Sequence, residues 1–430
     1  AGPTDETPLA VHVAAVGCPW RPEHRLVRVA MKGKEFPQAE RPASNLVFLL
    51  DVSGSMDMPD KLPLLKAGMK LLAEQMREQD RVAIVVYAGA EGLVLPSTSG
   101  AKRDEILAKL DELEAGGSTN GGAGIELAYR IARENFIKDG VNRVILCTDG
   151  DFNVGTTSTA DLVRMVENRA RSGVFLSVLG FGRGNLNDSM METISNKGNG
   201  NYAYIDSINE ARKVLVEQMG GTLVTIAKDV KLQVEFNPAR VAAYRLIGYE
   251  NRILAKEDFN DDKKDAGEVG AGHTVTALYE VVPVGVEVAA TPPVDPLKYQ
   301  TPAAATEQTA AGAVDAPAAD EASPPADEAS PASEELLTVK LHYKLPDADT
   351  STKREFPLVD RGESFGQSGR DFQFAAAVAA MGMLLRESEH KGTATYDAVL
   401  EIATAAKGAD PRGYRAEFID MVRRAKSLGG

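Results

Sequence analysis

The sequence predicts an α/β fold: a doubly wound, mostly parallel sheet inserted in a β-sandwich and followed by a smaller C-terminal helical or α+β domain. Three observations carry that expectation. Short apolar runs at 46–51, 82–88, 143–149, 174–180 and 202–206 alternate with helical periods, and strands separated by helices of about 10–15 residues form a parallel sheet covered on both faces. Segments of period-two alternation flank that unit on both sides. The length of 430 residues exceeds what one core usually serves, so two or three domains are expected.

Taken in order, residues 1–42 hold strands, clearest at Leu9/Val11/Val13 and from Leu26 to Met31, with Pro19 and Pro22 marking a turn. The α/β domain spans 43–220. Its helices are signalled by Leu65/Met69/Leu72/Met76, Ile106/Leu110/Leu113, Ile125/Ala128/Ile131/Ala132 and Leu162/Met165/Val166/Ala170, apolar residues recurring at one-turn spacing. From 221 to 290 the alternation returns, at Val230/Leu232/Val234/Phe236, from Tyr244 to Tyr249 and from Val275 to Val282, completing the sandwich. Residues 291–335 are dominated by Pro, Ala, Thr, Asp and Glu. They offer too little apolar surface to offset ordering entropy and read as a disordered acidic linker. The C-terminal domain, 336–430, opens with a strand at Val339/Leu341/Tyr343. Three helices follow near 371–388, 394–406 and 411–427, the last two started by Thr393 or Thr395 and by Asp410-Pro411. The apolar face Phe374/Val378/Met381/Leu385 is expected in the core.

Composition narrows the function. A net charge of −14 argues against nucleic acid, which is held by clustered Lys and Arg. Eight of the acids lie between Lys298 and Lys340, where no Lys or Arg occurs, so much of the excess describes the linker. Nothing approaches about 18 consecutive apolar residues, so no membrane-spanning segment is expected. The chain starts at Ala1, which reads as a processed or truncated product. The two cysteines, Cys18 and Cys147, leave the compartment undecided, and Cys147 reads as a small buried hydrophobe.

The chemistry concentrates at strand ends. Asp51-Val52-Ser53-Gly54-Ser55 closes the apolar run 45–50, Thr119 lies in the glycine-rich loop 116–122 ahead of a helix, and Asp149 follows the run Val144–Cys147. Open α/β sheets bind ligands at the carboxyl ends of their strands. All three loops can share that edge, bringing together five oxygen donors: Asp51, Ser53, Ser55, Thr119 and Asp149. The plainer alternative for the first three is a capping turn.

Together these motifs resemble the metal-ion-dependent adhesion site of von Willebrand factor type A domains, over about residues 44–220. The flanks, including Cys18-Pro19-Trp20 and Pro22-Glu23-His24-Arg25-Leu26, also resemble bacterial YfbK-like proteins, in which such a domain is followed by a C-terminal domain of unassigned function. The resemblance implies that Ser53, Ser55 and Thr119 bind Mg²⁺ directly, with Mn²⁺ or Ca²⁺ as substitutes, while Asp51 and Asp149 act through ordered water. Mg²⁺ takes about six oxygens and keeps some waters. With few carboxylates bound directly, the ion stays positive and favours a carboxylate from a protein partner. The implied function is a non-enzymatic adhesion or assembly module of the bacterial periplasm or cell surface, with a lipid anchor lost from a processed N-terminus. The family also implies an affinity switch through the last helix, here about Glu210 to Met219.

Three alternatives stand beside it. An acid of the 291–335 segment or the C-terminal domain would fill the site from within. The chain would serve as a cytosolic assembly partner of a AAA+ ATPase, which a separate protein must supply. An aspartyl-phosphate enzyme would use Asp51, yet position 53 is Ser and no Lys stands out at a later strand end. A serine hydrolase is disfavoured because no G-x-S-x-G frame surrounds Ser53 or Ser118 and all five histidines fall outside the α/β unit. Gly180-Phe181-Gly182-Arg183-Gly184 reads as a turn, not a dinucleotide fingerprint.

Overall fold

A computed structural model describes residues 2–3, 7–37, 40–87, 92–116, 121–150, 159–182, 187–218, 224–248, 259, 267–287, 334–346, 348 and 350–429. Strands β1 (Leu9–Cys18) and β2 (Arg21–Gly33) pair antiparallel and turn at Pro19-Trp20. The chain then enters the α/β unit with β3 (Ser44–Asp51), helix α1 (Leu62–Ala73), β4 (Arg81–Tyr87), β5 (Gly92–Ser99), α2 (Arg103–Asp111) and α3 (Gly121–Glu134). There follow β6 (Val141–Thr148), α4 (Thr159–Arg171), β7 (Phe175–Phe181), α5 (Asp188–Lys197), β8 (Tyr202–Ile205) and α6 (Ile208–Arg212), whose chain continues as π-helix over Lys213–Gln218.

The six strands form one sheet in the order β5-β4-β3-β6-β7-β8, parallel except for the edge strand β5. Helices on both faces explain why β3 and β6 are buried at every residue and read as unbroken apolar runs. Along β3, Leu46, Phe48 and Leu50 face the core under α1, α2 and α6. Val47 and Leu49 face the core under α3, α4 and α5. Neither β5 nor α5 was expected from the sequence: β5 contains Pro96, which a strand tolerates when it lies at a sheet edge.

After the α/β unit come β9 (Thr225–Phe236), β10 (Val241–Ile247), β11 (Gly267–Gly270), β12 (Thr274–Pro283), β13 (Glu335–Lys344) and β14 (Thr352–Val359). They combine with the first two strands as two four-stranded sheets, β1-β2-β12-β10 and β11-β9-β13-β14. Residues such as Val27, Val29 and Val281 meet Leu337 and Val339 between them. This corrects the placement of strands after 336 in a separate C-terminal domain. Strand β13 pairs with both β9 and β14 and fills the sandwich core, whereas a lone two-stranded hairpin would be marginal in water. Glu335 already belongs to β13, and the expected linker before it, from 291 to 333, lies outside the described residues.

The C-terminal unit is thus helical: α7 (Arg370–Leu385), α8 (Tyr396–Ala406) and α9 (Tyr414–Gly429). Thr395 caps α8, its side chain accepting from Ala398 N. Helix α9 begins at Tyr414, later than expected, and the Asp410 carboxylate reaches ahead to the N–H groups of Arg415 and Ala416. On α7 the buried residues are Phe372, Ala376, Ala377, Ala380, Met381 and Met383, while Val378 and Leu385 face solvent at 45% and 60% exposure. Small alanines let that face sit close on the outer side of the first sheet, against Val16, Cys18, Trp20, Leu26 and Leu278.

A buried polar cluster marks this seam. Glu280, 4% exposed, accepts from Trp20 Nε1 at 3.0 Å and from Arg245 Nε at 3.1 Å, and its other oxygen lies 2.6 Å from His24 Nδ1. Since a carboxylate only accepts, that imidazole nitrogen carries a proton. Burial works against the Glu280 carboxylate, but donation from Trp20, His24 and Arg245 outweighs it and holds the group below the usual carboxylate range. The Trp20 carbonyl accepts from Thr393 N at 3.0 Å, and Gly392 passes so close that a Cβ there would lie 2.2 Å from that oxygen. Cys18 and Cys147 are both free and buried, in different cores. Burial pushes the Cys18 thiol up to about 12 and the Cys147 thiol higher still.

Candidate functional site

The carboxyl ends of β3, β4 and β6 meet at one place. Asp51 ends β3 and pairs in register with Tyr87, the last residue of β4. It is wholly buried: Oδ1 accepts from the Ser53 N–H at 2.8 Å and Oδ2 from the Tyr87 hydroxyl at 3.2 Å. The chain then turns through a 3₁₀ segment, Gly54–Asp57, in which Met56 is fully buried while Gly54 and Ser55 face solvent. Anchored by Met56, the turn brings Ser53 Oγ and Ser55 Oγ to 3.0 Å from each other. Asp149 follows β6, next to Gly150, which adopts φ +106° and donates its N–H to Thr148 Oγ1 at 3.2 Å.

Four of the five expected donors are therefore placed. Asp51, Ser53 and Ser55 share one turn, and Asp149 lies close enough that its charge helps to raise the Asp51 carboxyl, after burial as the larger cause. Thr119 lies outside the described residues; Gly116, three positions earlier, donates its N–H to the Val52 carbonyl at 2.7 Å. Among the described residues no group of three or more His, Cys, Asp or Glu side chains could hold a metal. That is consistent with this donor set, which contains two carboxylates and relies on hydroxyls. All of these donors are oxygen, the chemistry that suits a hard cation such as Mg²⁺.

Two further residues stand at the site, Tyr87 and Lys61. Tyr87 is fully buried, and burial with the adjacent Asp51 charge keeps its hydroxyl far above its ordinary value, so it serves Asp51 as a neutral donor. Its place at the end of the neighbouring strand was the available signal. Lys61 precedes α1, and its Nζ lies 2.9 Å from Asp149 Oδ2. Nothing in the local pattern marks it: a lysine serving such an aspartate is expected at a later strand end, and this one reaches across from the loop after β3.

Helix α3 sits tightly behind the site. A Cβ at Gly124 would meet Tyr87 Cβ at 2.8 Å and Leu49 Cδ1 at 3.2 Å. Gly124→Ala is expected to push α3 away and cost about 1–2 kcal/mol, as overpacking outweighs the gain in helix propensity. Thermal denaturation of the variant beside the wild type checks it. On the opposite face Gly68 of α1 makes room for Leu215 and Ala211, so the last helical segment of the domain lies directly against α1.

Comparison with known proteins bears on both halves of the chain. Residues 45–218 match the von Willebrand factor type A domain model, and 221–428 match that of the C-terminal region of the uncharacterized protein YfbK. Among curated proteins, YfbK of Escherichia coli is 44% identical over 98% of this chain and 68% of its own length. Human inter-alpha-trypsin inhibitor heavy chain H3 is 27% identical over 55% of this chain and 28% of its own. The chain thus spans about two thirds of YfbK and under a third of the human protein. A solved von Willebrand factor type A structure from Catenulispora acidiphila aligns over 97% of this chain and 89% of its own, at 16% identity and a TM-score of 0.45.

Proposed function

Because the chain belongs to the YfbK family, with a von Willebrand factor type A domain followed by the family's C-terminal region, we propose that it is a non-enzymatic, Mg²⁺-dependent protein-binding module of the bacterial cell envelope. Type A domains are commonly protein-interaction modules. The observation that supports the metal here is the pairing of Ser53 Oγ and Ser55 Oγ, 3.0 Å apart, with Ser55 exposed to solvent and Ser53 buried beside the buried Asp51. In this reading Ser53, Ser55 and Thr119 hold the ion, and Asp51 and Asp149 orient its waters. A bound divalent ion would supply a Lewis-acidic point for a carboxylate of the partner.

The chain's own residues prepare that point. Tyr87 and the Ser53 N–H fix the Asp51 carboxylate in one orientation, which spares the site that ordering cost when it fills. Both Asp51 oxygens are engaged and the residue has no exposed surface, which weighs against attack on a phosphoryl group. Among the described residues no helix is long and apolar enough to cross a membrane. The envelope assignment follows the family resemblance.

Magnesium titrated calorimetrically into the full chain is expected to give a saturable one-site isotherm. Immobilised protein is expected to retain a partner from envelope extract in Mg²⁺ and release it in EDTA. Absence of heat with Mg²⁺, Mn²⁺ and Ca²⁺ alike would remove the metal from the reading. Retention that EDTA does not reverse would remove the metal bridge.

A further inference from the structure

Resting on that metal-site reading, we infer that Lys61 is a tethered cation that competes with the divalent ion for Asp149 and sets the ion concentration at which the site fills. The Lys61 ammonium lies 2.9 Å from Asp149 Oδ2, with the two side chains 16% and 4% exposed. It is not a loose surface lysine. Its backbone is fixed at the start of α1, the N–H donating to Met58 O at 3.0 Å and the carbonyl accepting from Leu65 N at 2.9 Å. Its aliphatic stem lies over Gly182, at the end of β7, where a Cβ would fall 2.3 Å from Lys61 Cε and 2.7 Å from Cγ. Gly182 adopts φ +79°, and its carbonyl is held by the Tyr204 hydroxyl at 2.9 Å. The side chain is thus seated at both ends, bridging from the loop after β3 to the ends of β6 and β7.

Holding four rotatable bonds in one path costs entropy, so the arrangement needs a compensating attraction. Asp149 supplies it. Asp51 and Asp149 place two carboxylates near one another, and the ammonium offsets one of those charges. A divalent ion that draws on Asp149, directly or through water, must share or displace the ammonium and is repelled by it. At short range in a partly buried site that repulsion is worth at least a factor of ten in affinity, by Coulomb's law at an effective dielectric constant of about 20.

The test uses the full chain and Mn²⁺ as the probe, with free ion counted by electron paramagnetic resonance. Lys61→Met is expected to bind Mn²⁺ at least about tenfold more tightly than wild type. Gly182→Ala retains the ammonium but blocks the groove for its stem, and is expected to move affinity in the same direction by a smaller factor. Equal affinities for wild type and Lys61→Met, or weaker binding by the variant, overturn the inference and leave the metal site standing. If neither protein retains Mn²⁺, the metal reading itself fails and the inference goes with it. Circular dichroism of both variants establishes that the comparison is between folded proteins.

Discussion

Asp51→Asn is expected to weaken Mg²⁺ binding by about 10–100-fold, the usual cost of losing a group that orients a metal's ligands or waters, and to raise the melting temperature of the ion-free protein. The two effects share one cause. Burial, with the neighbouring Asp149 charge added, raises the Asp51 carboxyl above its ordinary range, against the opposing hydrogen bonds from Ser53 and Tyr87. An acid whose folded pKa is raised contributes a penalty that is absent below the unfolded value and grows as pH rises through the interval up to the folded one. Above that interval the penalty is fully present, and asparagine removes it. The Ser53 N–H keeps its acceptor, and the Tyr87 hydroxyl can accept from the new amide. Differential scanning calorimetry checks both signs: Mg²⁺ at about 100 times Kd should stabilise the wild type by ~2.7 kcal/mol, while the variant should start higher and respond little. A variant that melts lower in EDTA and gains as much from Mg²⁺ as wild type would refute this role for Asp51.

Glu280→Ala carries the largest expected loss of stability, about 3–5 kcal/mol, the usual cost of breaking a buried charged pair by removing one partner. The change strands Trp20 Nε1, His24 Nδ1 and the Arg245 guanidinium, all within the seam between the first sheet and the C-terminal helices. Trp20 is the chain's single tryptophan, so its fluorescence reports unfolding of that seam alone, and the urea midpoint read at Trp20 should fall. The pH dependence follows the opposite sign to Asp51. With its folded pKa depressed, Glu280 contributes stability that is present above the ordinary carboxylate range and is lost as pH falls through the lower folded value. A Trp20 transition that is unmoved by the substitution, or equally acid-sensitive with and without it, would contradict this account.

The two sites differ in how far the sequence exposed them. Asp51, Ser53 and Ser55 lie within five residues, and Asp149 follows a second apolar run; in a parallel sheet such positions share an edge by topology alone, so pattern and chain direction suffice. Nothing comparable announces Glu280. It stands among alternating strand residues, and its donors come from positions 20, 24 and 245, joined only when β2, β10 and β12 align. Likewise β13 looked like the start of a new domain because some fifty residues separate it from β12, and only its hydrogen bonds to β9 return it to the sandwich.

By itself the sequence determined the α/β unit, its insertion between strands, the family and the position of Asp51, Ser53, Ser55 and Asp149 at strand ends, because these depend on periodicity and on spacing along the chain. Tertiary structure alone decided that Asp51 is buried with both oxygens engaged, that Tyr87 and Lys61 stand at the site, that the last two strands complete the sandwich and that the C-terminal helices cover its outer face. The reason is physical: local pattern fixes which face of an element is apolar, whereas burial, charge pairing and sheet order depend on which distant faces meet.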